Sequence, residues 1–107
     1  MEEKTTFETG CVRETKGKAA VELISPLALL ELGSYLEEMS ARYPARNWEK
    51  GMPIMVIIAS LLRHTYKFMM KHTDENHACA IFCNAMFLLH TIRKIESKEL
   101  PESLDNR

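Results

Sequence analysis

Leu29, Leu32, Leu36, Met39 and Tyr43 recur at spacings of three and four. That row predicts an amphipathic helix that opens at Ser25-Pro26 and runs to about Tyr43. Ser25 can cap the free amides of its first turn, and Pro26 already holds a helical φ. Leu27 and Leu30 widen the apolar face, as expected of a helix that touches more than one neighbour. A second helix is expected from Pro53 to about Lys71. Its first half, IMVIIASLL, is apolar all round and belongs deep in a core or at a subunit interface. KHTDEN then reads as a turn with Thr73 as the N-cap of a third helix lasting to about Glu99, before Pro101. Ile81, Ala85, Leu88, Ile92 and Ile95 form one apolar row on it, and Phe82, Met86 and Leu89 a second.

The fold expected is all-α, with three main helices over residues 25–100. Residues 1–24 contain Gly10 and Gly17, show neither helical nor strand period over 1–18, and are expected as an extended basic arm. PESLDNR, residues 101–107, is expected to be a flexible tail. Three helices in 107 residues expose more apolar stripe than a monomer tolerates, so a helical-bundle homo-oligomer is expected.

Composition narrows the partners. A hydrophobic content of 46% supports a folded core and excludes a chain disordered throughout. The formal charge of −1 supplies no general positive field, which argues against a nucleic-acid partner and requires any anion site to be a local cluster. The longest apolar run, Ile54 to Leu62, falls far short of the roughly twenty residues that span a bilayer, so no membrane partner is expected. Three cysteines cannot pair completely and no apolar leader is evident, which points to a reduced, cytoplasmic setting.

The local cluster is RYPARNWEKG, residues 42–51, between the first two helices. Two arginines, a lysine, a tyrosine and the single tryptophan are displayed there, where Pro44 ends one helix. Trp48 and Tyr43 either plug the end of the bundle or stack on a base, with Arg42, Arg46, Asn47 and Lys50 around them. Arg63, Lys67 and Lys71, spaced i, i+4, i+8 with His64 adjacent, form a cationic strip that either solubilises the second helix or holds polyphosphate. On the first helix Glu31, Ser34 and Glu38 make a polar stripe that can hold Mg²⁺, unless Glu38 simply pairs with Arg42 at i+4. Asp74 and Glu75 complement the third helix's dipole, or Asp74 and His77, which lie with Asn84 at i, i+3 and i+10 close to one face, coordinate a metal or position water. Cys79 and Cys83 are four apart and can join His72 or His77 on zinc, but without a CxxC knuckle buried thiols are the better expectation.

ETGCVRETKGK, RYPARNWEKG, SLLRH and DENHACAIFCN together resemble the dATP/dGTP diphosphohydrolase N-terminal domain family, found mostly in bacteriophages. That family is related in outline to the all-α, MazG-like nucleotide pyrophosphohydrolases. The resemblance covers about Phe7 to Arg93. It implies a helical homo-oligomer that binds purine deoxynucleoside triphosphates and, with Mg²⁺, releases pyrophosphate by attack of water at the α-phosphorus. Carried onto this chain, Glu38, Asp74 and His77 become the expected catalytic residues, and Glu31, Glu38, Asp74 and Glu75 the metal ligands. Arg13, Arg42, Arg46, Asn47, Trp48, Lys50, Arg63, His64 and Lys67 become the nucleotide contacts.

Met70-Lys71 stands where relatives often carry Gly-Glu, replacing an acid with a cation. The paired acidic motifs Glu-x-x-Glu and Glu-x-x-Asp are not cleanly present either. These departures support a second expectation: a sponge that sequesters a cyclic or other signalling nucleotide of bacterial anti-phage defence, uncleaved and without metal. A purely structural helical module is the third.

Overall fold

The computed structural model describes residues 3–107, and the protein is mostly helical with one short two-stranded sheet. The all-α expectation is corrected at the N-terminus. Strands β1 (Lys4–Thr6) and β2 (Val12–Glu14) pair antiparallel, with Lys4 opposite Glu14, Thr5 opposite Arg13 and Thr6 opposite Val12. The turn closes through Phe7 N–H to Cys11 O (2.8 Å) and Gly10 N–H to Phe7 O (2.8 Å). Gly10 takes φ 88°, a conformation open to a residue without Cβ. Each strand has three residues, too few to display the alternation that sequence reading needs.

Helix α1 spans Pro26–Met39, and Ser25 Oγ accepts the Ala28 amide at 3.1 Å, the expected cap. It stops before Tyr43 because Pro44 disfavours helical geometry in the residue ahead of it. Helix α2 spans Ile54–Met69 and α3 spans His77–Glu96. Asn76, not Thr73, caps α3, its Oδ1 accepting the Cys79 amide at 3.0 Å. Asp74 and Glu75 therefore lie ahead of the helix rather than in its first turn.

Helix α3 is the centre of the architecture, with α2 packed along it and α1 crossing it. By length and mean hydropathy (1.3) α3 could cross a bilayer, a property that apolar runs alone did not expose. Here it serves as the core helix of a small fold. Its most buried stripe is His77, Ala80, Asn84 and Thr91, at spacings of three, four and seven, while Ala85 of the expected apolar row is exposed. Leu32 and Tyr35 of α1 pack on Cys79, Ala80 and Cys83, with Leu36 and Met39 alongside. Leu29 and Tyr43, expected on that face, are exposed.

The tail, expected to be flexible, lies against the rest of the fold. Pro53 stands at the N-cap of α2 and offers no side-chain acceptor, so the free amides of that helix need another partner. Asn106 Oδ1 accepts the Met55 amide at 3.0 Å, and a short 3-10 turn, Glu102–Leu104, lies against α3. Gly51, at φ 91°, gives this tail room: a Cβ there would fall 2.8 Å from Leu104 Cδ1.

All three cysteines are free, with Cys11 exposed and Cys79 and Cys83 buried. Burial pushes the Cys83 thiol from 9.0 to about 11 and raises Cys79 as well. Burial, reinforced by the Glu75 carboxylate, pushes the Tyr35 phenol from 10.0 to about 12. Each folded value exceeds its unfolded one, so the stability these groups contribute is complete below the unfolded values and is lost as pH climbs through the folded ones. The denaturation midpoint is expected to fall steadily from pH 9.0 to about 12, the window set by Cys83 and Tyr35. A thiol reagent at neutral pH should modify Cys11 at once and the other two only on unfolding.

Candidate functional site

A cavity of about 810 Å³ opens between α1, the 42–53 connection and the facing sides of α2 and α3. That volume lies within the range of small-molecule sites, about 300–1,000 Å³. Tyr35 and Met39 of α1, Ile57, Ser60, Arg63 and His64 of α2, and Cys83, Asn84 and Phe87 of α3 form its walls. Arg42, Tyr43, Arg46, Asn47 and Trp48 of the connection form its rim and one side.

The connection is shaped by packing. Arg46 adopts a left-handed conformation (φ 60°) and starts a 3-10 turn, Asn47–Lys50, which swings Trp48 inward. The indole stacks on Phe87 at 4.9 Å and meets His90 edge-on at 4.8 Å. Trp48 is thus half-buried, stacked on Phe87 and part of the cavity lining. Tyr43, 55% exposed at the rim, is the aromatic ring left open to a ligand.

The cationic groups divide by pairing. Arg46 Nη1 lies 2.7 Å from Glu49 Oε1. Among the described residues no carboxylate is within ion-pair distance of Arg42 or Arg63, so the Glu38–Arg42 pair, one of the two alternatives for Glu38, does not form. Lys50 is exposed and does not line the cavity. Lys67 is half-buried beside the cavity, close enough that its charge lowers the pKa values of both His64 and Asp74. Arg13 lies apart from it, beside a shallow hollow bordered by Phe7, Lys18 and Glu22.

At the inner end of the cavity four elements converge on a titratable cluster. His77 is 2% exposed; its Nε2 sits 2.7 Å from Asp74 Oδ1 and its Nδ1 2.9 Å from Nδ1 of His64. Glu75 Oε1 is 3.9 Å from His64 Nδ1 and accepts the Tyr35 hydroxyl at 3.3 Å. The ionised Asp74, held below the usual carboxylate range chiefly by its hydrogen bond to His77, fixes a proton on His77 Nε2. Burial holds His64 below the usual imidazole range, with Glu75 opposing and His77, Lys67 and Arg63 reinforcing. His64 and Glu75 border the cavity, while His77 and Asp74 support them from behind.

The four expected metal ligands are not assembled. Glu31 and Glu38 are exposed on α1, near Cys79, and only Glu75 joins a group whose ligand atoms lie together. Zinc on Cys79 and Cys83 is also absent as an arrangement, because Cys79 Sγ faces Glu31 O at 3.5 Å inside the α1–α3 contact. Tyr35 went unforeseen, although it stands three after Leu32 and four before Met39, at helical spacing on the buried side.

The chain is mostly helical, with a cationic, aromatic-rimmed cavity that His64, Glu75 and Tyr35 of the imidazole–carboxylate cluster also line. The family model described as dATP/dGTP diphosphohydrolase, N-terminal, matches residues 9–100, and the chain belongs to that family. No curated protein and no solved structure matches it.

Proposed function

We propose that this chain binds a purine nucleotide in the cavity and, as its family's description suggests, hydrolyses purine (deoxy)nucleoside triphosphates to monophosphate and pyrophosphate. The observation that carries the binding is two arginines, Arg42 and Arg63, without carboxylate partners among the described residues, on the wall of a ligand-sized cavity. Guanidinium groups suit phosphate oxygens because their fixed fork of donors matches them in pairs. Arg46 adds a third cation, Asn47 a neutral hydrogen-bonding group, and Tyr43 an open ring for the base. His64 faces the same space and is the group suited to orient a phosphate or a water, held in register by His77 and Asp74. No role falls to Glu31, Glu38, Lys50 or Arg13.

Mg²⁺, expected from the resemblance, fits the residues poorly. It prefers near-octahedral oxygen, whereas the donors that converge are two imidazole nitrogens and one carboxylate. The scattered carboxylates favour a second reading, in which the cavity captures a cyclic or other signalling nucleotide of anti-phage defence without cleaving it. Incubating the protein with linear and cyclic nucleotides, in Mg²⁺ or in chelator, and separating free from heat-released ligand decides between them. Metal-dependent monophosphate plus pyrophosphate establishes the hydrolase. Intact nucleotide recovered from chelator establishes the sponge, and neither outcome leaves a structural module.

The working unit of this reading is a homo-oligomer in the cytoplasm, that of the host cell if a phage encodes the chain. The accessible surface is 8469 Å² for 12.3 kDa, against about 6,100 Å² for a compact chain of that mass. The radius of gyration is 18.4 Å, where about 13 Å is usual at this length. The projecting hairpin contributes, and so do Leu27, Leu30, Leu62 and Met69, each at least 41% exposed. The surplus of about 2,400 Å² on one chain exceeds the roughly 800 Å² that each partner buries in a standard interface. Light scattering at micromolar concentration is expected to return a dimer or larger, and a persistent monomer would count against this assembly.

A further inference from the structure

We propose that His64, His77 and Glu75 form a binding site for a divalent metal of the borderline class, such as Zn²⁺, with Asp74 as its supporting carboxylate. The ligand atoms of the three residues lie within 4.8 Å of one another. Imidazole nitrogens select Zn²⁺ and its transition-metal neighbours over Mg²⁺, so the donor set departs from the cofactor expected of the family.

The orientation of His77 is the strongest argument. Its Nε2 is committed to Asp74 at 2.7 Å, which leaves Nδ1 as the nitrogen open to a metal; Nδ1 faces His64 Nδ1 at 2.9 Å, and an ion bound there displaces the proton that the two nitrogens share. A carboxylate that fixes the far nitrogen of a metal-ligating histidine is the recurrent outer support of zinc sites. Two nitrogens on a tetrahedral zinc stand about 3.3 Å apart, so the rings need to part by only about 0.4 Å to admit the ion. Glu75 Oε1, the oxygen 3.9 Å from His64 Nδ1, also accepts the Tyr35 hydroxyl at 3.3 Å, which fixes the position of that carboxylate.

Three protein ligands leave a fourth position open. His64 and Glu75 border the cavity and His77 is sealed beneath them, so the open position faces the cavity. An oxygen ligand, water or a phosphate oxygen, fits there. The proposal stands on the cluster alone and does not require the nucleotide reading.

The test uses the full chain stripped of metal, with Zn²⁺ or Co²⁺ alone as the probe. Calorimetry should give one Zn²⁺ per chain, and Co²⁺ should develop the visible absorption of a tetrahedral or five-coordinate site. His64→Gln, at a half-buried position that folding should tolerate, is expected to lower Zn²⁺ affinity at least a hundredfold. Asp74→Asn should lower it about 10–100-fold, the usual cost of removing an outer-shell partner. A Cys11→Ser control should bind as the parent does, because Cys11 lies on the hairpin turn. Absence of stoichiometric Zn²⁺ binding, or affinity unchanged by His64→Gln, overturns the proposal. Neither readout involves a nucleotide, so failure here is distinct from failure of the proposed function.

Discussion

The double variant Arg42→Ala/Arg63→Ala is expected to lower nucleotide affinity by about a thousandfold, through hydrogen bonds to charged groups worth about 1.5–3 kcal/mol each. Both guanidiniums border the cavity and neither has a carboxylate partner among the described residues, so each is free to bind phosphate without first giving up an ion pair. Arg46→Ala should cost less. Its guanidinium already pairs with Glu49 at 2.7 Å, and a ligand must compete with that contact. Lys16, paired with Glu3 on the hairpin, is the control whose replacement should change nothing. Calorimetric titration of the two variants and the control, repeated at two salt concentrations, measures this directly. An affinity that survives the double substitution would remove the cavity as the phosphate site, whatever the base prefers.

Ile57→Ala is expected to cost about 2–5 kcal/mol of stability, the range for emptying a buried branched side chain. Ile57 is 0% exposed and lies on α2 where that helix meets α3, so the void has little freedom to collapse. Small domains hold only about 5–15 kcal/mol in total. The melting temperature should therefore fall by roughly 8–40 °C. Ile57→Val, which removes one methyl, should cost about 0.5–1.5 kcal/mol. Denaturant titration of the pair checks the ratio. Equal costs would mean that the α2–α3 contact is looser than its burial indicates. Because Ile57 also lines the cavity, the alanine variant should loosen nucleotide binding even at temperatures where it stays folded.

The three helices were legible from the chain because apolar spacing and capping residues are local properties. Ser25-Pro26 starts α1 as its chemistry dictates, and the proline ahead of α2 does the same. The cap of α3 was misplaced by three residues because Thr73 and Asn76 are both good caps, and only the chain reversal through Lys71, at φ 63°, selects between them. The hairpin was missed because its strands are stabilised by pairing across the turn. The docked tail was missed because the amide that Asn106 accepts lies 51 residues away.

The candidate site divides in the same way. RYPARNWEKG announced a cationic cluster from composition alone, and its Arg42 and Arg46 do share one cavity with Arg63 of α2. Carboxylate spacing on α1 was uninformative, since helical period says which residues share a face but not what that face meets. Glu31 and Glu38 share one, and it meets solvent. Local sequence thus determined the helices, the free thiols and the cationic connection, each of which depends on near neighbours along the chain. Tertiary structure alone decided that His64, from α2, meets His77 at the start of α3 and Glu75 just before it. It decided equally that Trp48 is a wall and that Tyr43 remains open, because those contacts depend on how the helices pack against each other.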